Sequence, residues 1–192
     1  MRIHRLLPVS QANGPGSRFV LWVQGCSRQC AGCFNPNTHS HYEGYEFSVS
    51  EIISQIPFAE VCGITISGGE PFEQPYELAL LLNETGRRGL NRLVYTGFTY
   101  EELNQHESLK IRESLFLIDM LIDGPFEREK LSDMQWTGSA NQRVLELHHG
   151  KIKIIYGKND IGSNASIDCE LIIDQAGHVT VTGLIDSKSI VE

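Results

Sequence analysis

The stretch Phe19-Val20-Leu21-Trp22-Val23-Gln24-Gly25-Cys26-Ser27-Arg28-Gln29-Cys30-Ala31-Gly32-Cys33 passes from an apolar run straight into a loop rich in Gly and Cys. A short apolar run bounded by turn residues reads as a buried strand. The same join recurs further on. Ile64 to Ser67 ends in Gly68-Gly69, Leu93 to Thr96 ends in Gly97, and Leu117 to Ile122 ends in Asp123-Gly124. Helical stretches lie between them. Ser48 with Glu51, and Thr99 with Glu102, have the spacing of capping boxes. Tyr76 to Thr85 is a Leu-rich helix closed by Gly86 and Gly89. Strand, loop and helix in alternation imply βαβ units and a parallel sheet. In such sheets ligands bind at the C-terminal ends of the strands. The unusual residues therefore gather along one edge.

Beyond the fourth strand the pattern changes. Residues 126 to 143 show little periodicity. Val144 to Leu147 and Ile152 to Tyr156 are strand-like, and Leu171 to Asp174 and Val179 to Thr182 flank Gln175-Ala176-Gly177-His178 as a terminal hairpin. The expected organisation is a single domain over residues 1–192, with a core at about 14–156 and a β extension at about 157–192.

Composition narrows the function. Sixteen Lys and Arg face 24 Asp and Glu, a formal charge of −8. That balance opposes a generic nucleic-acid binder, which needs a basic face for phosphates. No apolar run reaches the roughly 20 residues of a membrane span. Met1-Arg2-Ile3-His4-Arg5 is too mixed for a signal peptide, so a cytoplasmic location is expected. Of the five cysteines, Cys62 and Cys169 stand apart near apolar runs and read as small buried side chains.

The other three cysteines are spaced C-x3-C-x2-C. Three thiolates on a short loop can each take a separate iron of one cubane cluster. Gly25 and Gly32 let the backbone wrap closely around it. A fully protein-bound [4Fe–4S] cluster needs four ligands. Three leave one iron open, and an open metal position is where chemistry occurs. Spacing alone also admits a structural zinc site completed by His39 or His41, or three unrelated buried cysteines. Ser67-Gly68-Gly69-Glu70-Pro71 supplies a strand end that a ligand can approach without a Cβ clash, and an acceptor in Glu70 that could bind a cationic amine. Taken alone it is a strand-to-helix turn.

Together, C-x3-C-x2-C after the first strand and GGEP after the second resemble the radical S-adenosylmethionine (SAM) superfamily. Further segments are similar to the activating enzymes of anaerobic (class III) ribonucleotide reductase. They are Gly14 to Cys26, Cys33-Phe34-Asn35-Pro36, Tyr95 to Phe98, Leu121 to Phe126 and Gly138 to Arg143. The resemblance implies a partial (β/α)6 TIM-like barrel with the C-terminal β-hairpin appended. It implies a [4Fe–4S] cluster on Cys26, Cys30 and Cys33, and SAM held near Ser67, Gly68, Gly69 and Glu70. Phe34 would pack against adenine, Thr96 would contact the methionyl or ribose group, Asp123 the ribose or a cation, and Asn141 and Arg143 the SAM carboxylate or the partner. As a bare residue, Asp123 also reads as a turn cap, and Asn141 and Arg143 as a solvated loop. A large glycyl-radical reductase is the implied partner, with flavodoxin or ferredoxin as electron donor. In longer activases a Lys follows the strand-four Asp, and here Gly124 and Pro125 stand in its place, so the SAM carboxylate lacks that cation. Two other readings stay open: a radical SAM modifier of a peptide or small metabolite, and a non-catalytic iron–sulfur or zinc protein.

Overall fold

The computed structural model describes residues 1–157, 169–173 and 179–183. Its main sheet has eight strands. In chain order these are β1 (Arg2–Ser10), β2 (Arg18–Val23), β3 (Tyr45–Glu46), β4 (Gly63–Gly68), β5 (Asn91–Tyr95), β6 (Met120–Asp123), β7 (Arg143–His148) and β8 (Lys151–Tyr156). Across the sheet they lie in the order β3-β1-β2-β4-β5-β6-β7-β8. The strands β2, β4, β5 and β6 are parallel. They are flanked on one side by β1, antiparallel to β2, and on the other by β7, antiparallel to β6, followed by β8, antiparallel to β7. A separate pair, β9 (Cys169–Ile173) and β10 (Val179–Gly183), forms an antiparallel hairpin. Its expected turn at Gln175 to His178, and Asp174, lie outside the described residues.

The α/β class expected from the sequence holds, and the sheet is open. The parallel run stops after four strands because the segment after β6 forms no helix beyond a short 3₁₀ turn at Arg128–Lys130. Without a crossover helix, β7 can return only antiparallel to β6. The fourth strand also starts later than the sequence suggests. Leu117 closes helix α4 (Leu109–Leu117), and the strand begins at Met120.

Four helices pack on a single face of the sheet. Helix α1 (Val49–Ser54) and helix α3 (Tyr100–Asn104) both begin with the capping boxes read from sequence, at Ser48 and Thr99. Helix α2 (Pro75–Arg87) starts with Pro at its first turn, where the missing N–H costs nothing. It buries Leu78, Leu81, Leu82 and Thr85, a spacing that makes one stripe. This stripe meets Phe19, Leu21 and Val23 of β2 and Ile64 and Ile66 of β4. Helices α1, α3 and α4 add Ile52, Leu103, Ile111 and Leu115 to the same core. Because side chains alternate along a strand, Val20 and Trp22 of β2, Leu93 of β5 and Ile122 of β6 point the other way. Among the described residues that second face carries no helix. Ile172 of the hairpin covers Leu7, Val20 and Trp22, while Met134 and Trp136 cover Leu93, Ile122 and Val144.

Both isolated cysteines are exposed, not buried as expected. Cys62 stands just before β4, at the N-terminal edge of the parallel strands, with its Sγ 3.2 Å from the Ser17 carbonyl oxygen. Cys169 lies in the first position of the hairpin. Among the described residues no helix is long and apolar enough to cross a membrane.

Candidate metal centre

The helix-free face of the sheet carries a cavity of about 630 Å³, within the roughly 300–1,000 Å³ usual for small-molecule sites. It opens at the C-terminal ends of the parallel strands. Cys26, Cys30 and Cys33 line it together with Phe34, Ser67, Gly68, Gly69, Glu70 and Thr96. Nine of the site residues expected from sequence thus share one space.

The cysteine loop is held by backbone bonds. The Gly25 N–H donates to the Thr38 carbonyl at 2.8 Å, and the Cys26 N–H to the His39 carbonyl at 3.1 Å. The Cys33 N–H closes a turn on the Cys30 carbonyl at 3.1 Å. Glu73, not anticipated from sequence, tethers the loop from below. It accepts from the Ser27 N–H at 2.9 Å and pairs with His41 Nε2 at 2.7 Å. The three sulfurs differ in exposure, with Cys26 buried and Cys30 and Cys33 half-buried. Burial pushes the Cys26 and Cys33 thiols up from their ordinary value. Metal loading must therefore displace their protons.

The GGEP turn is stitched to this loop. The Gly69 N–H donates to the Val23 carbonyl at 2.9 Å and the Glu70 N–H to the Gly25 carbonyl at 2.8 Å. A Cβ on Gly69 would sit 2.2 Å from the Gly25 oxygen, so only glycine permits the approach. Gly68 has φ +98, in the region that favours glycine.

Glu70 faces into the fold and is 1% exposed. Its carboxylate accepts from the Phe72 N–H at 3.1 Å, the Thr96 hydroxyl at 2.9 Å and the Gly97 N–H at 2.9 Å. Arg28 Nε lies 3.9 Å away. Burial outweighs these donors and pushes its pKa up to about 7. Glu70 thus ties the ends of β4 and β5 together.

Asp123 and Arg143, for which the resemblance implied ligand contacts, are not among the residues lining the cavity. Arg143 donates to Asp123 through Nε at 3.0 Å and to Glu101 at 2.7 Å. Asp123, 1% exposed, also accepts from the Tyr100 N–H at 2.7 Å. The pair fastens α3 to the β6–β7 edge. Phe34 packs on Phe126, with ring centroids 4.8 Å apart, and keeps 39% of its surface exposed towards the cavity.

The lining fits an iron–sulfur cluster and an acceptor-rich ligand. Among the described residues, Arg5 Nε, Arg28 Nε, His39 Nε2 and Trp136 Nε1 are buried nitrogens with no hydrogen-bond partner, and all four residues line this cavity. Buried donors are rarely left unpaired. Inorganic sulfides, carboxylates and ribose oxygens are the acceptors such donors lack. The Asn35 N–H already points at Cys33 Sγ at 3.4 Å, a bond of the kind that tunes cluster potential. Among the described residues no three His, Cys, Asp or Glu groups converge closely enough for a single metal ion.

Three cysteines lining one cavity fit an iron–sulfur protein, and residues 12–145 match the family model described as a 4Fe-4S single cluster domain. The anaerobic ribonucleoside-triphosphate reductase-activating protein of Enterobacteria phage T4 is 32% identical over 151 residues, covering 75% of this chain and 93% of the phage protein. The proteins of the same name from Vibrio cholerae and Escherichia coli K12 are each 33% identical, over 97% and 99% of their own lengths. At this identity and coverage the chain belongs to the family of anaerobic ribonucleoside-triphosphate reductase-activating proteins.

Proposed function

We propose that this protein is a radical SAM enzyme that cleaves SAM reductively and places a glycyl radical on an anaerobic ribonucleoside-triphosphate reductase. One observation carries the reading: in a chain of this family, the three cysteines and the unpaired buried donors line the same cavity. When bound, the cluster supplies one electron to the SAM sulfonium, giving methionine and a 5′-deoxyadenosyl radical that takes a hydrogen atom from the target glycine.

The chain's own residues do the holding. Cys26, Cys30 and Cys33 anchor three irons. Ser67, Gly68 and Gly69 bring backbone to the methionyl end without side-chain obstruction. Glu70 and Thr96 fix that backbone through their mutual hydrogen bond, and Phe34 offers a ring face to adenine. Asp123 and Arg143 are positioning residues, since their charges are spent on each other and on Glu101. The four parallel strands are read as the part of a (β/α)6 arrangement that a small activase retains, with residues 1–192 as one domain. A flavodoxin or ferredoxin is the expected electron donor, and the cytoplasm the expected compartment.

The test is anaerobic reconstitution. Cluster-loaded, reduced protein is expected to form 5′-deoxyadenosine from SAM, and to generate a glycyl radical by electron paramagnetic resonance when the cognate reductase is added. Cys30→Ala is expected to abolish both. SAM cleavage with no radical on the reductase would reject the partner in favour of a peptide or metabolite substrate. A colourless protein carrying stoichiometric zinc would reject the cofactor.

A further inference from the structure

Strand β1 enters the sheet out of phase. Ile3 pairs with Val23, yet Arg5 pairs with Trp22, so two steps on β1 match one on β2. This is a β-bulge, a device that re-aims side chains beside functional sites. In regular pairing Ile3 and Arg5 would share a face. Ile3 lies in the helix-covered core, and a guanidinium there would be buried in hydrocarbon. The bulge turns Arg5 to the opposite face, where it lines the cavity.

There the guanidinium is prepared for an anion. Its Cζ stands 4.4 Å over the Trp22 ring, which fixes its plane. Its Nε is buried and has no partner. Among the described residues no carboxylate pairs with it, and burial lowers its pKa with no acidic neighbour opposing the shift. The other arginines near the strand ends are engaged or solvated. Arg143 is bound to Asp123 and Glu101. Arg28 stacks on Phe98 at 4.1 Å and lies within 3.9 Å of Glu70 and Glu102. Arg128 is exposed at the rim beside Gly32. A cation drawn partly out of water without a counter-charge is costly, and a bidentate carboxylate is the group whose geometry matches guanidinium.

We propose that Arg5, turned inward by the β1 bulge, is the carboxylate-binding residue of this cavity. The inference rests on the reading of the cavity as the SAM site and adds the cation that reading lacks. The carboxylate comes either from the methionyl end of SAM or from a segment of the partner polypeptide entering the cavity.

The experiment measures binding of SAM and of decarboxylated SAM to cluster-loaded wild-type, Arg5→Gln and Arg5→Lys proteins, and then of the cognate reductase at saturating SAM. If the cofactor is the source, Arg5→Gln weakens SAM about 10- to 100-fold, the scale of a charge-assisted bond. Decarboxylated SAM then binds both proteins alike, and Arg5→Lys recovers most of the loss. If the partner is the source, both cofactors bind unchanged and the reductase affinity falls by a similar factor, again recovered by Lys. Equal weakening of SAM and decarboxylated SAM, with no rescue by Lys, would overturn the proposal, because it marks a packing role against Trp22. So would unchanged binding of SAM and reductase alike. Wild-type protein that binds no SAM refutes the function proposed above instead, and the reductase titration then decides Arg5 alone.

Discussion

Substituting Gly69→Ala tests whether the GGEP turn and the cysteine loop form one unit. The added methyl would lie 2.2 Å from the Gly25 carbonyl oxygen, where real Cβ atoms essentially never come within 3.0 Å. The neighbour is backbone, so no side chain can rotate aside. Relief requires a shift of about 0.8 Å between the turn and the residue preceding Cys26, comparable to the overpacking that costs about 1–3 kcal/mol in cores. The same shift strains the Glu70 N–H bond to Gly25 and the Gly69 N–H bond to Val23, at 2.8 and 2.9 Å. Each is worth about 1 kcal/mol. The expected loss is therefore about 3–5 kcal/mol in urea denaturation of the metal-free protein. Iron stoichiometry after reconstitution should fall with it, since Cys26 follows the displaced residue. Gly69→Ala protein with unchanged stability and full iron content would refute the coupling. Gly89→Ala serves as control: it strains a left-handed glycine, at φ +81, which Gly69 is not, and its Cβ meets nothing within 4 Å. It should cost stability through its backbone alone and leave iron loading intact.

Two further outcomes follow from the buried carboxylates. Glu70 titrates at about 7 in the folded chain against 4.5 ordinarily, so the native state binds the extra proton between those values. Stability of the metal-free protein should fall by about 3 kcal/mol as pH rises from 4.5 to 7, and Glu70→Gln should remove most of that slope when denaturation curves at pH 5 and 7.5 are compared. Asp123→Ala leaves Arg143 with Glu101 as its remaining partner and the Tyr100 N–H without its acceptor. It should cost about 1–3 kcal/mol in chemical denaturation, as losing the acceptor of a buried donor does, and cluster absorbance in the surviving folded fraction should stay normal.

The parts legible in sequence are those where chemistry restricts residue type. Cysteines at cluster spacing, glycines where backbones touch, and caps at Ser48 and Thr99 are local requirements, and the structure places each where the pattern indicated. What escaped depends on tertiary context. Strand β1 was hidden because its bulge and a second register shift after Leu7 break the alternation by which strands are recognised. Helix α4 buries Ile111, Ser114 and Leu115 but leaves Phe116 half exposed, so no clean stripe shows. Residues 126 to 143 follow no period because side chains organise them. Gln142 Oε1 accepts from the Gly138 N–H at 2.9 Å, and Asn141 Nδ2 donates to the Pro125 carbonyl at 2.7 Å. Asp123 and Arg143 were ligand candidates through the resemblance, and only the fold reveals that they pair with one another.

All four helices stand behind the sheet, and the cavity lies in front of it. Cohesion and reactivity therefore occupy opposite sides of one plane of strands. The rear can drift in sequence as any oily interior does, while the front can be refitted by exchanging loops or adding a hairpin such as β9–β10. A lineage built this way can acquire new targets without relearning how to fold.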